Sequence, residues 1–321
     1  MTLHSNIGAG VTAVDLFAGL GGSSHGMRSI GVDVRVAANH WRFAVDTHAL
    51  NHPETEHVCQ DLEQADFATW PKVDLAFAGP SCQGHSPAGQ VGRKSSKSVR
   101  VTHDKLRGSA WSVVSFAEVQ RPRWLVIENV PAFQNWVLFR VWISALQALG
   151  YTLSFNFLTA SRWGVPQRRK RLFVIGTLDA TAIQVTDPDV PEPAFGPCID
   201  WDAGDWRELS KLRHEGPKRR AARARAKGLG DRFILQNVSD HSGLSLDEPL
   251  RTITTGDQWA VVDGDYYRTL TIRENLRGQG FSDDFQIPAG ARRGDVIRAA
   301  GNAVPPPLSA GVVSAVIRSA A

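Results

Sequence analysis

Cysteine is scarce, with three in 321 residues. Cys59, Cys82 and Cys198 stand in three unrelated contexts, which excludes a disulfide framework and a zinc site of paired C-x-x-C type. A cysteine that matters here acts alone, and no metal site is expected. An excess of one charge is also nearly missing: Lys and Arg number 36 against 32 Asp and Glu, a formal net charge of +4. So mild an excess favours a polyanionic partner without identifying one. No apolar run of membrane-spanning length is visible, and the opening MTLHSNIGAG lacks the apolar core of a signal peptide, so the reading is a cytoplasmic protein. Hydrophobic residues at 42% and charged residues at 21% exclude disorder as the main state. No internal repeat is apparent, and the length suits one large domain or a large one plus a small one.

What is present is an alternation of short apolar strands and helix-length segments. The runs 11–17, 32–38, 73–78, 124–127 and 172–175 are each apolar and end in polar or turn residues. This pattern predicts a doubly wound, mostly parallel α/β sheet with helices on both faces and ligands at the carboxyl ends of the strands. From about residue 178 the texture changes to TDPDVPEPAFGPCIDWDAGDW, a domain boundary. Next comes KLRHEGPKRRAARARAK, where Glu215 is the single acid among eight cations. After Gly301 an Ala- and Val-rich helical tail is expected to dock back onto the first domain.

Candidate chemistry gathers at the strand ends. In DLFAGLGG, Gly19, Gly21 and Gly22 leave room for a ligand at a helix N-terminus, as dinucleotide and S-adenosyl cofactors require, although a tight βα turn alone would read the same. The end of the second strand, Ala37 to Trp41, has no acid for ribose hydroxyls; Trp41 is suited to stack on an adenine or to fill core. Cys82 in AGPSCQGHS follows the third strand and reads as a nucleophile better than as an inert buried thiol. The Gly-, Ser- and cation-rich segment from Gly84 to Ser109 reads as a mobile lid or binding loop. Glu128 and Asn129 end another strand. In PQRRKRLF, alternation places Gln167, Arg169 and Arg171 on one face, suited to an anionic or carbonyl-bearing ligand.

Taken together, these segments closely resemble the bacterial and phage DNA (cytosine-5) methyltransferases of restriction-modification type. DLFAGLGG is similar to that family's first motif, GPSCQ to its catalytic motif, ENV to its glutamate motif and QRRKR to its Gln-x-Arg-x-Arg motif; RTLTIRENLRGQGF and GNAVPPPLS resemble the ninth and tenth. The resemblance implies a Rossmann-like S-adenosylmethionine domain over 1–178, a target-recognition domain over 179–284 and a C-terminal segment, 285–321, that returns to complete the cofactor pocket. It assigns Asp15, Phe17, Gly19, Leu20, Gly22, Trp41, Asp61, Leu62, Pro80 and Asn302 to the cofactor, with His40 where the family usually has a ribose-binding Glu. Ser81 replaces a second proline that many members carry, a change expected to be neutral.

The resemblance further implies methyl transfer to carbon 5 of a flipped-out cytosine, with Cys82 adding at carbon 6, Glu128 on N3 and the exocyclic amine, and Arg169 with Arg171 on the O2 side. Double-stranded DNA is the expected partner, met by Gln83, Ser86, Arg93, Lys97 and Arg107 of the loop and by Lys218, Arg219, Arg220 and Arg223 of the basic stretch. A monomer, paired functionally with a restriction endonuclease and with no membrane partner, is expected. Two alternatives stay open at this level: an RNA cytosine-5 methyltransferase with the same core, and a catalytically dead DNA-binding member.

Overall fold

The computed structural model describes the backbone of residues 6–81, 97–179, 181–238 and 241–319 and, outside 97–108, their side chains. In chain order the first elements are β1 (Thr12–Leu16), α1 (Gly22–Ser29), β2 (Asp33–Ala38), α2 (Arg42–Asn51), β3 (Glu56–Val58) and β4 (Leu75–Ala78). There follow α3 (Lys97–Gln120), β5 (Trp124–Asn129), α4 (Phe139–Ala148), β6 (Thr152–Thr159), β7 (Gln167–Arg168) and β8 (Lys170–Thr177). The remainder comprises β9 (Arg207–Glu208), α5 (Glu215–Ala226), β10 (Arg232–Gln236), β11 (Leu250–Arg251), β12 (Trp259–Asp263), β13 (Tyr266–Thr269), α6 (Ile272–Gly278), α7 (Arg293–Asn302) and α8 (Pro306–Arg318).

Two compact units result, one from 1–159, 170–188 and 304–321, the other from 160–169 and 189–303. The boundaries differ from those expected at 178 and 285. Residues 183–187 stay with the first unit because they hydrogen-bond along β6: Ser154 Oγ donates to Ile183 O (2.5 Å), Val185 N to Asn156 Oδ1 (2.8 Å) and Thr159 N to Asp187 Oδ1 (3.0 Å). At the other end α7 belongs to the second unit, where Arg293 pairs with Asp257 at 2.7 Å and Gln279 Nε2 donates to Ala300 O (2.5 Å). The return to the first unit therefore comes at residue 304.

The first unit is built on a seven-stranded sheet of order β3-β2-β1-β4-β5-β8-β6. β1 to β5 run parallel, while β8 is antiparallel to β5 and β6 to β8. Strands buried on both faces must be apolar throughout, as β4 (LAFA) and the start of β5 (WLVI) are. Val14, Leu16, Ala76, Leu125, Ile127 and Val174 pack with Phe116, Phe133, Trp142 and Leu146 into one core. Each such large side chain, fully buried, contributes about 1.5–3 kcal/mol. Chain direction across the sheet reverses between β1 and β4, the switch point where open α/β sheets leave a crevice beyond the strand carboxyl ends.

The tail docks as its composition requires. α8 buries Leu308, Val312, Val313 and Val316, and it approaches α1 so closely that a Cβ on Gly26 would stand 2.0 Å from Ser309 Oγ and 2.3 Å from Pro306 O. Residues 293–318 reach the length and mean hydropathy, 1.2, of a membrane span, which the sequence reading passed over. The chain leaves helix at Ala303 to Pro305, and most of this apolar stretch is buried, as in a globular core.

The second unit has an antiparallel sheet, β10-β12-β13-β9, and a parallel pair, β11-β7. Alternation along β10 and β12 sends Phe233, Leu235, Ala260 and Val262 to one face, against Ala221 and Ala224 of α5, and Ile234, Trp259 and Val261 to the other, against Phe195 and Leu270. At the start of α6, Thr271 and Glu274 form a capping box, and Glu274 is also ion-paired with buried Arg268 at 2.7 Å. Within the segment RTLTIRENLRGQGF, Arg268 and Glu274 thus hold a helix start, while Arg277 pairs with Asp283 at 2.7 Å.

Candidate active site

The turn after β1 is shaped by backbone as much as by side chains. Phe17 is one of two non-glycine residues with positive φ among those described, at 63°, and Gly19 and Gly21 follow at 56° and 90°. A side chain on Gly19 would be strained by that φ although little fills the space, the nearest atom to its Cβ position being Phe17 O at 4.0 Å; Gly79 after β4 faces the same atom at 4.0 Å. Ala18 N donates to Ala38 O (3.0 Å) and Gly79 N to Leu16 O (3.0 Å), which ties the turns after β1, β2 and β4 together.

Beneath this turn lies Asp15, the last inward residue but one of β1 and almost wholly buried. Its Oδ2 accepts from Ser23 Oγ (2.5 Å) and Ser24 Oγ (2.6 Å), both in the first turn of α1. Its Oδ1 has no hydrogen-bond partner. Burial pushes the carboxyl up to about 6, partly offset by the two serines. A buried carboxylate oxygen without a partner among the described residues, beside a turn with left-handed backbone at Phe17, Gly19 and Gly21, fits a small cationic ligand seated over β1.

The flanking expectations fall around the same strand ends. His40 is exposed and Trp41 half-buried just beyond β2, where Asn39 Oδ1 accepts from Trp41 N (2.9 Å). Asp61 caps the short turn 62–64 by accepting from Glu63 N (3.1 Å), and Leu62 is buried behind it. Pro80 is buried after β4, and its carbonyl accepts from Asn129 Nδ2 (3.1 Å). Leu20 and Gly22 are buried within the turn and at the start of α1.

Glu128 lies near the end of β5, opposite Phe173 of the antiparallel β8. Arg171 is two residues from Phe173 and therefore shares its face, which makes Glu128 and Arg171 diagonal neighbours. The pair is closed at 2.8 Å between Arg171 Nε and Glu128 Oε1, with both side chains 10% exposed. An ion-paired carboxylate at a strand end presents oxygens that can accept from a ligand edge.

Arg169 stands at a break between β7 and β8. Alternation placed it beside Arg171, but Arg169 N donates to Gln167 O (2.9 Å), so the strand breaks at 169 and the two-residue period does not cross it. Arg169 belongs to the second unit and donates to Ile253 O (3.1 Å) and Gly301 O (3.0 Å). Gln167 Oε1 accepts from Ile253 N (2.7 Å), so both peptide groups of Ile253 are satisfied by this one segment. Gln167 Nε2 donates in addition to Gly278 O (3.0 Å) and Gln279 Oε1 (2.9 Å). Exposed Asn302, also in the second unit, follows Gly301, which a Cβ would drive to 2.3 Å from Thr254.

Cys82, Gln83, Ser86 and Arg93 lie outside the described residues, as do the side chains of Lys97 and Arg107. Of the segment expected as loop, 84–109, the part from Lys97 onward is helical, within α3. Gly84, Pro87, Gly89 and Gly92 all precede that point, and Gly108 alone follows within the expected loop. The basic stretch forms α5, and here too the structure narrows the expectation. Arg220 donates to Asn237 Oδ1 (2.9 Å), Arg225 to Gly264 O (2.5 Å), and Lys218 pairs with Glu215 at 2.9 Å. Arg220 is half-buried, and Arg213, Arg219 and Arg223 are exposed. The sequence reading missed His48, which packs under the glycine turn; a lone helical histidine carries no signal that separates it from core.

Comparison with known proteins bears on the same arrangement. Residues 11–318 match the model of the C-5 cytosine-specific DNA methylase family. Type II methyltransferase M.NlaX of Neisseria lactamica is 30% identical over 283 residues, covering 86% of this chain and 87% of that protein. Type II methyltransferase M.NgoBI of Neisseria gonorrhoeae is 27% identical over 301 residues, covering 92% and 89%. Among solved structures, a putative DNA modification methyltransferase encoded within an E. coli prophage superposes with a TM-score of 0.69 at 20% identity, over 96% of this chain and 99% of that one. Entamoeba histolytica methyltransferase EhMeth gives 0.68 at 17% identity, over 97% and 99%. With a family match over nearly its whole length and this α/β fold, the chain belongs to the C-5 cytosine-specific DNA methylase family.

Proposed function

We propose that this protein transfers a methyl group from S-adenosylmethionine to carbon 5 of a cytosine flipped out of duplex DNA, through a covalent adduct of Cys82 at carbon 6. The observation that carries this reading is the buried Glu128–Arg171 pair at the end of β5, two strands from β1 and its glycine turn. Asp15, the turn Phe17 to Gly22, Trp41, Asp61, Leu62 and Pro80 hold the cofactor. Its sulfonium supplies an electrophilic methyl group. His40 takes the ribose side with one hydrogen bond where a carboxylate would accept two.

Carbon 5 of cytosine is too weak a nucleophile unaided. The Cys82 thiolate adds to carbon 6, and Glu128, bonded to N3 and the exocyclic amine, delivers a proton to N3 as electron density moves into the ring. Arg171, paired with Glu128 at 2.8 Å, faces the O2 side. After methyl transfer a water molecule takes the hydrogen on carbon 5 as a proton, the electrons of that bond expel the Cys82 thiolate, and the proton on N3 returns to Glu128. Extrusion of the base costs a few kcal/mol, met by contacts to the displaced strand. Arg213, Arg219 and Arg223 contribute phosphate affinity, and the second unit reads bases in the major groove. The enzyme acts as a cytoplasmic monomer and as one half of a restriction-modification pair, and the relatives' names, Type II methyltransferases, support the last of these.

Duplex DNA in which 5-fluorocytosine replaces cytosine tests the chemistry, because fluorine cannot depart as a proton. With S-adenosylmethionine present, a stable adduct mapped to Cys82 by peptide mass spectrometry is expected, and Cys82→Ala should abolish methylation while retaining DNA binding. An adduct at Cys59 or Cys198, or none, refutes the assignment, and labelling of tRNA in place of DNA would favour an RNA substrate.

A further inference from the structure

α2 brings a histidine under the glycine turn. His48 is buried, and its ring lies against Gly21, where φ is 90° and an added Cβ would stand 2.6 Å from His48 Cδ2. His48 Nε2 is 2.9 Å from Ser24 Oγ, and its Nδ1 is 2.8 Å from His57 Nε2. Ser24 Oγ is in turn 2.6 Å from Asp15 Oδ2. Side chains from β1, α1, α2 and β3 thus form one hydrogen-bonded chain that ends at the carboxylate assigned above to the cofactor.

Counting protons fixes the direction of that chain. A hydroxyl has one proton to give, and with Asp15 ionised Ser24 gives it to the carboxylate. His48 must then donate from Nε2, accept at Nδ1 and receive the proton of His57 Nε2. It stays neutral because burial lowers its basicity, as do the neighbouring His52, His57 and Arg28. His52, whose ring centroid lies 4.8 Å from that of His48, is held near 4 by burial and by His25 and Arg28, and so adds no charge at neutral pH.

We propose that His48 is a positioning residue for cofactor binding: through Ser24 it aims a hydroxyl proton at Asp15, and its ring braces the Gly21 turn. The chain orders the carboxylate and the turn before the cofactor arrives, so that ordering is not paid out of binding affinity. This proposal rests on the S-adenosylmethionine reading, which titration of the wild-type protein with that cofactor tests separately.

The test pairs two substitutions at one position. His48→Phe keeps an aromatic ring and removes the donor; His48→Gln keeps a donor and an acceptor. Loss of a hydrogen bond to a group serving an ionised partner is typically worth about a factor of ten in an equilibrium. His48→Phe is expected to raise KM for S-adenosylmethionine roughly tenfold with kcat at saturation unchanged, and His48→Gln to restore KM. An unchanged KM in His48→Phe overturns the proposal, as does equal impairment of both variants. The tautomer is checked in the wild type itself: nitrogen NMR of histidine-labelled protein should show His48 protonated at Nε2, and protonation at Nδ1 would refute the chain.

Discussion

Asp15→Asn separates stability from function. The folded state holds this carboxyl at about 6, against an ordinary value of 3.8, because burial disfavours the charge. The unfolded chain therefore loses the proton first. Stability from this group is full at low pH, falls as pH rises from about 3.8 to about 6 and is constant above, for a total cost of about 3 kcal/mol at 1.36 kcal/mol per pH unit. Asparagine keeps an oxygen for Ser23 and Ser24 but does not titrate, so the variant lacks this slope. In urea denaturation of the ligand-free protein, the stability of Asp15→Asn relative to wild type should rise by about 2 kcal/mol between about pH 4.5 and about pH 7.5, other carboxylates cancelling in the comparison. Calorimetric titration at the higher pH should find cofactor binding lost in the variant. A difference that does not vary with pH would refute the claim that burial strains this group. A variant that binds S-adenosylmethionine normally would refute the assignment of the unpartnered Oδ1 to the ligand.

Further outcomes follow from other residues. Glu128→Gln should slow turnover by about 10²–10⁴ with cofactor affinity unchanged in titration, since its role is toward the base; lost cofactor binding would place it in the wrong pocket. Gly26→Ala should lower thermal stability by about 1–3 kcal/mol, because the new methyl meets Ser309 and Pro306, although helix propensity alone would raise it by about 1 kcal/mol; a stabilised variant would show that α8 does not pack there. Neutralising Arg213, Arg219 and Arg223 together should weaken binding to all DNA sequences alike and reduce the slope of log affinity against log salt by about 0.9 per lost phosphate contact, with the methylated site unchanged. An unchanged slope would mark them as a solvated face.

The parallel strands were legible because burial on both faces leaves uninterrupted apolar runs, as in Leu75 to Ala78 and Trp124 to Ile127. β6 was not, since its pattern is inverted: Ser154 and Asn156 face inward to bond residues 183–185, while Phe155 and Phe157 are exposed. The glycine turn and the strand-end position of Glu128 followed from local sequence. The partition of Gln167, Arg169 and Arg171 did not, because it depends on a break at residue 169 that no periodicity marks. His48 was hidden for a related reason, its partners lying 9 and 24 residues away on other elements.

The first unit is discontinuous, and that sets an order of events during synthesis. Gly22 O accepts from Ser309 Oγ across 287 residues. At ribosomal rates of about 5–20 residues per second, α1 waits roughly 15–60 s for the helix that covers it. The second unit is complete before then, whereas the helix that follows the glycine turn still lacks its packing partner. A chain stalled or cleaved in the segment before α8 would carry the second unit intact beside an unfinished first one, and a peptide spanning α8, added in trans, is the natural means to complete it.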